Sequence, residues 1–345
     1  MIPCAFAIPG DINTLTGGFI YERRLLLGLR EMGHDMRHLQ LPAGFPDPSP
    51  AEMAKAIDIM TAEERPLIVD GLVFGSIDTS GLARCRAPLI AMIHHPLAME
   101  SGLPPARRDH LFATECDNLR LARHILVPSP HTRDMLVQRY EVAPERITIA
   151  RPGTKRARLA HAPDLPPLIL AVGILHPRKG HDILISALGD LADLDWQAMI
   201  VGRSWDADYV RDISAQIAAS PVGQRINLAG EIKPERLEEV YAKASVFALA
   251  TRYEGHGIVF DEALAHGLPI VSCRTGAVPD TVPAQAGLLV PPDDAPAFGA
   301  ALRRMLSDAQ LRTSLQDGAR QAGADLPGWD RTAAIASGVL QGLAP

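Results

Sequence analysis

The sequence has no apolar run that approaches the ~18 residues of a membrane-spanning helix; residues 168–175 form one of its longest. Its first ten residues, MIPCAFAIPG, lack the charged-then-apolar layout of a secretory signal. Cysteine is sparse: Cys4, Cys85, Cys116 and Cys273 stand far apart without a C-x-x-C pair, which argues against a disulfide framework or a zinc site. A positive excess is also missing. The net charge is −6, so bulk nucleic-acid binding is not expected, because neutralising phosphates needs a basic field. These absences point to a cytoplasmic protein with at most peripheral membrane contact and no nucleic-acid partner.

What is present suits a globular chain: 47% hydrophobic and 21% charged residues over 345 positions, enough for two domains. Glycine (28) and proline (29) make up about 17% of the chain against a usual ~12%, without a period, and imply many short turns. Charge is uneven. The first 160 residues hold 19 Lys+Arg and 18 Asp+Glu, the remainder 15 and 22. An anion bound by the acidic second part therefore needs a local cationic device.

Short, fully apolar runs alternate with helical or turn-rich stretches, the pattern of parallel strands covered on both faces. In the first part the strand candidates are 4–8, 66–69, 89–93, 124–127 and 147–150, with a helix expected over 19–32 whose apolar face holds Phe19, Leu26, Leu29 and Met32. The segment 161–167, HAPDLPP, breaks the pattern and reads as a linker. Strand candidates then resume at 168–172, 198–201, 226–229, 246–250, 270–273 and 288–290, with helices between them. A helix over 257–266 stops at Gly267 and Pro269, and a final helix covers about 331–343. The organisation expected is residues 1–160 as one doubly wound α/β domain, 161–328 as a second, and 329–345 as a helix returning to the first. Ligands of such sheets sit beyond the carboxyl ends of the strands, which places the expected site in a cleft between facing domains.

Two constellations lie at those strand ends. Tyr253-Glu-Gly-His-Gly-Ile-Val-Phe-Asp-Glu-Ala-Leu-Ala-His-Gly-Leu-Pro269 holds a loop acid, Glu254, a glycine turn through Gly255 and Gly257, a helix start, and a second acid, Glu262. Glu254 can accept hydrogen bonds from hydroxyls, Glu262 can grip a vicinal diol, and free N–H groups around His256, Gly257 and Ile258 suit an anion. Gly173-Ile-Leu-His-Pro-Arg-Lys-Gly180 carries Arg178 and Lys179, a planar fork and a point charge suited to a diphosphate. In the first part, His94 and His95 follow an apolar run, and either could hold a hydroxyl or assist proton transfer.

The ordered set E-G-x-G-x4-E-A-x-A-x-G-x-P, with G-x4-R-K-G upstream, resembles family 4 glycosyltransferases of the GT-B fold. Thr16-Gly17-Gly18 resembles that family's N-terminal glycine turn, and Thr275-Gly276 a later loop. The resemblance implies two Rossmann-like domains, and transfer of a sugar from a UDP-, GDP- or ADP-sugar to an acceptor with retention, without metal or cofactor. It implies Arg178, Lys179, Gly17, Gly18 and Gly173 at the diphosphate, Glu254 at the sugar, Glu262 at the ribose and Ile232 at the base. His94 matches the family's strand-end histidine, with His95 and Thr16 on the acceptor side. Where many relatives carry an arginine after the first glycine, this chain has Ile174; either Arg178 and Lys179 carry that load or phosphate binding is weaker. The loops 15–18 and 96–105 are expected to line the acceptor pocket, for a sugar, a lipid head group or a small aromatic molecule. A nucleotide-sugar epimerase and a non-catalytic nucleotide-sugar-binding protein are the alternatives on the same fold.

Three local patterns are set aside. Asp206-Ala-Asp208 imitates a metal-binding D-x-D, but Asp206 stands where a helix N-cap is expected. Gly255-x-Gly257-x-x-Phe260 lacks the third glycine of a dinucleotide fingerprint. Residues 155–158, KRAR, read as a solvated basic turn.

Overall fold

A computed structural model describes residues 2–100, 102–155, 157 and 165–343. Most of the linker 161–167, Arg156 and Arg158 of the basic turn, and Ser101 of the 96–105 loop lie outside the described residues. The chain divides into two compact units, Met1–Gly153 with Pro327–Pro345, and Thr154–Leu326.

The first unit is built on six parallel strands: β1 (Pro3–Pro9), β2 (Asp35–Leu41), β3 (Leu67–Asp70), β4 (Leu89–Met92), β5 (His124–Val127) and β6 (Ile147–Ile149), in the order β2-β1-β3-β4-β5-β6. Successive residues of β1 point to opposite faces. Ala5 and Ala7 join an apolar layer with Leu67, Val69, Leu89 and Ala91, while Phe6 and Ile8 are buried on the other side. The strand order reverses between β1 and β3, so the segments that leave their carboxyl ends diverge and open a crevice there.

The first helix, Gly17–Glu31, buries Tyr21, Glu22, Leu25, Leu26 and Leu29. The expected face is thereby corrected: it is rotated, and Met32 is 49% exposed just past the helix end, before Gly33. The helix Trp329–Leu343 packs on this first helix and buries Thr332, Ala333, Ala336, Ser337 and Leu340. Thr332 donates to the Arg151 carbonyl at 2.7 Å, and Ser337 Oγ lies 2.8 Å from His34 Nε2.

The second unit repeats the plan with β7 (Leu168–Val172), β8 (Gln197–Val201), β9 (Ile226–Gly230), β10 (Val246–Leu249), β11 (Ile270–Cys273) and β12 (Gly287–Val290). All pair in parallel in the order β12-β11-β10-β7-β8-β9. Ile169 and Ala171 face one apolar layer, with Leu188 and Trp196; Leu168, Leu170 and Val172 face the other, with Tyr241 and Phe260. Here the order reverses between β7 and β10. Asp206 caps the helix Ala207–Ala219 by accepting from Tyr209 N at 3.0 Å, and Asp208 pairs with Arg211 on the surface. Among the described residues no helix is long and apolar enough to cross a membrane.

Candidate active site

In the second unit, the reversal point brings two loops together. The chain leaves β7 through Gly173, makes a single tight turn over Pro177–Lys179, and enters the helix His181–Gly189 at Gly180. Gly180 has φ +63°, and a Cβ there would lie 1.9 Å from the Ala250 carbonyl oxygen. Only glycine lets this turn press against the end of β10. The contact delivers Arg178 and Lys179 to the loop that follows β10. Lys179 Nζ donates to Glu254 Oε1 at 2.6 Å, Arg178 Nη1 lies 3.8 Å from Glu254 Oε2, and Thr251 Oγ1 lies 3.1 Å from Glu254 Oε1.

Glu254 is 5% exposed and Lys179 8%. Burial alone would raise the Glu254 carboxyl; the Lys179 and Arg178 charges outweigh it and hold the group below the usual glutamate range. Two cations thus meet one carboxylate at a reversal point in an otherwise acidic unit.

Arg252, which sequence reasoning passed over, braces this arrangement. Its guanidinium binds Asp182 through Nη1 at 3.0 Å and Nη2 at 2.7 Å, and Asp293 through Nε at 2.7 Å; Nη1 also bonds the Pro177 carbonyl. Its own N–H donates to the Arg178 carbonyl at 2.8 Å. The only cue in the sequence is its place inside Thr251-Arg-Tyr-Glu254.

Beyond Glu254, Gly257 adopts φ +86° and starts the helix Ile258–Ala265. The His256 side chain turns inward to Asp261 at 2.6 Å, and its carbonyl accepts from Thr281 at 2.8 Å, so the side chain locks the turn. Glu262 is half-buried, and its Oε2 accepts from the Tyr241 hydroxyl at 2.9 Å. Burial pushes its carboxyl up to about 7; the Tyr241 bond opposes this, and the Glu238 and Asp261 charges add to it. Thr275 donates to the Arg252 carbonyl at 2.8 Å, and Ala277 N to the Glu254 carbonyl at 2.9 Å. Ile232 sits two residues past β9 and packs on the Val201–Val240–Tyr241 layer. Ile174 contributes backbone: its carbonyl lies 3.2 Å from His181 Nε2.

In the first unit, Thr16 precedes the first helix as its N-cap without a side-chain bond, and Gly17 and Gly18 form its first turn. A Cβ at Gly18 would stand 3.5 Å from His94 Cδ2, so the glycine turn and His94 are neighbours. His94 lies just past β4 and packs edge-on against Tyr21, ring centroids 5.0 Å apart. Its Nε2 is 3.5 Å from Glu22 Oε1. Burial lowers the His94 imidazole, against the charge of Asp70. His95 Nε2 lies 3.3 Å from Glu100 Oε2. Glu22, Asp70 and His94 each offer one atom within 4.8 Å of the others, a donor set that could hold a metal ion.

Two family models match the chain: "Glycosyltransferase Family 4" over residues 42–158 and "Glycosyl transferases group 1" over 166–308, together about three quarters of its length. A D-inositol 3-phosphate glycosyltransferase of Corynebacterium efficiens is 30% identical over 211 residues, 54% of this chain and 49% of that protein. The chain thus spans about half the length of that curated relative. Among solved structures, sucrose-phosphate synthase from Thermosynechococcus elongatus superposes with a TM-score of 0.86 at 22% identity, over 99% of both chains. HepE of Anabaena, solved with UDP and glucose, superposes with a TM-score of 0.78 at 15% identity, over 99% of this chain and 100% of that one. The fold of this chain, two parallel six-stranded sheets with helices, is thus that of GT-B glycosyltransferases. With both family models matched in succession, and the E-G-x-G-x4-E block inside the second, the chain belongs to glycosyltransferase family 4.

Proposed function

We propose that this protein is a retaining, metal-independent glycosyltransferase that moves a sugar from a nucleoside-diphosphate sugar to an acceptor hydroxyl. The observation that carries the reading is the Lys179–Arg178–Glu254 cluster at the β7/β10 reversal point, within the family's motif. In such a reaction the bond from the anomeric carbon to the diphosphate oxygen breaks with its electron pair on phosphate, while the acceptor oxygen bonds the same face of the sugar and its proton passes to the departing phosphate. Charge grows on the departing phosphate, so preorganised cations there act most strongly in the transition state. Lys179 and Arg178 are the groups suited to this. Glu254 holds them in place without ligand and accepts from sugar hydroxyls when the donor is bound. Glu262 is suited to the ribose diol, main-chain groups around Ile232 to the base, and the first turn at Gly17 and Gly18 to the phosphates.

In the first unit, His94 is assigned to a sugar hydroxyl, with Thr16 and His95 toward the acceptor. The relatives support the class of donor: HepE is solved with UDP and glucose, and another relative is named as GDP-mannose-dependent.

The test is proton NMR of UDP-, GDP- and ADP-sugars incubated with the protein and a chelator, read through the anomeric coupling constant of the product. Transfer with the donor's own anomeric configuration is expected. An inverted product, or turnover that starts only when a divalent ion is added, overturns the reading.

A further inference from the structure

Glu22 is an anomaly of the first helix. It occupies the buried stripe with Leu25, Leu26 and Leu29, is 0% exposed, and among the described residues no amide, hydroxyl or ring N–H donates to its carboxylate. A leucine would fill that place without the penalty of burying a carboxylate. Two groups face it across the β1/β3 reversal. His94 Nε2, itself without a hydrogen bond, is 3.5 Å from Glu22 Oε1. The Asp70 carboxyl, at the end of β3, lies within hydrogen-bond reach of Glu22, while its Oδ1 accepts from Leu72 N at 2.9 Å.

Two buried carboxyls this close do not both ionise; one proton is held between them. Burial pushes Glu22 up to about 7 and Asp70 well above its usual range, in the same sense. With that proton in place the pair carries a single negative charge beside one ring nitrogen of His94. Tyr21 is the other titratable group against the imidazole, and its hydroxyl is turned away to the Ala150 carbonyl at 2.8 Å.

We propose that Glu22, backed by Asp70, is the positioning residue of His94: the carboxyl pair facing Nε2 fixes the imidazole as the Nε2–H tautomer. The Nδ1 lone pair is then the ring's acceptor, free to take a hydrogen bond from a hydroxyl. The catalytic consequence rests on the assignment of His94 to the reacting sugar; the tautomer does not.

The experiment is ring-nitrogen NMR of the full chain labelled at histidine, with His94→Gln identifying the signals, in wild type and Glu22→Leu. The Nε2–H form is expected in wild type at pH 8, above the Glu22 value of about 7. In Glu22→Leu, which removes a buried charge and keeps an apolar side chain on the stripe, the tautomer bias is lost and turnover falls at least tenfold with little change in donor KM. An Nδ1–H form in wild type, or an unchanged tautomer in Glu22→Leu, overturns the proposal. So do ring signals that move on dialysis against a chelator, which would assign the three residues to a metal. Absence of sugar transfer by the wild type would defeat the functional reading alone, because the ring signals are read without substrate.

Discussion

Glu262 illustrates how a single burial sets a working pH. To accept from two ribose hydroxyls, the role proposed for it, the carboxyl must be ionised, yet its surroundings push it up to about 7. Donor affinity is therefore expected to rise between pH 6 and pH 8, as the fraction of carboxylate grows, and to level off above. Glu262→Gln should bind the donor about tenfold or more weaker at pH 8, the scale of a lost hydrogen bond to a charged group, and should flatten the profile. Titration calorimetry at three pH values reads both effects; a wild-type affinity independent of pH would remove Glu262 from the ribose site. Glu254 behaves in the opposite way, because Lys179 and Arg178 keep it ionised throughout this range. These residues were legible in the sequence because the motif names them. Glu22 and Asp70 were not: one hides in a helical apolar stripe and the other ends an apolar strand, and only the strand order brings both to His94.

Elements were legible where their residues are apolar on both faces. The expected strands 124–127, 168–172 and 270–273 have those bounds in the structure, since buried parallel strands read as nearly continuous apolar runs. β2 was passed over because it is an edge strand: Asp35, Arg37 and Gln40 are exposed, and its polar alternation hides it among turns. One short turn has a support from far along the chain. Glu115, on the helix Pro105–Leu121, accepts from the backbone N–H groups of Leu97 at 2.5 Å and Ala98 at 3.1 Å, and from the Tyr140 hydroxyl at 2.9 Å, and so pins the segment after His95. Burial pushes its carboxyl up to about 7. A carboxyl raised above its unfolded value contributes stability that is complete below about pH 4.5 and is lost as pH rises to 7. Over that range the wild type should therefore lose up to about 3 kcal/mol relative to Glu115→Gln. Urea unfolding at pH 4.5, 6 and 7.5 measures the difference, and parallel curves for the two proteins would contradict it.

At the scale of the whole chain, the two sheets follow different orders. The first unit runs β2-β1-β3 onward and the second β9-β8-β7-β10 onward, yet each opens its crevice at the carboxyl ends where the order reverses. The Lys179–Glu254 pair stands at one reversal and the Glu22–Asp70 pair at the other, so topology accounts for where these two pairs are buried. Composition adds a constraint: with a net charge of −6, an anionic donor finds no attractive field over the molecule and depends on local cations. The central claim therefore reduces to Lys179. Calorimetric titration of UDP, GDP and ADP into wild type and Lys179→Met tests it most directly. The account predicts selective binding of one nucleoside diphosphate by the wild type and a loss of about 10–100-fold in the variant, the range of a charge-assisted hydrogen bond. Equal affinity in the two proteins, or no binding of any of the three by the wild type, would contradict it.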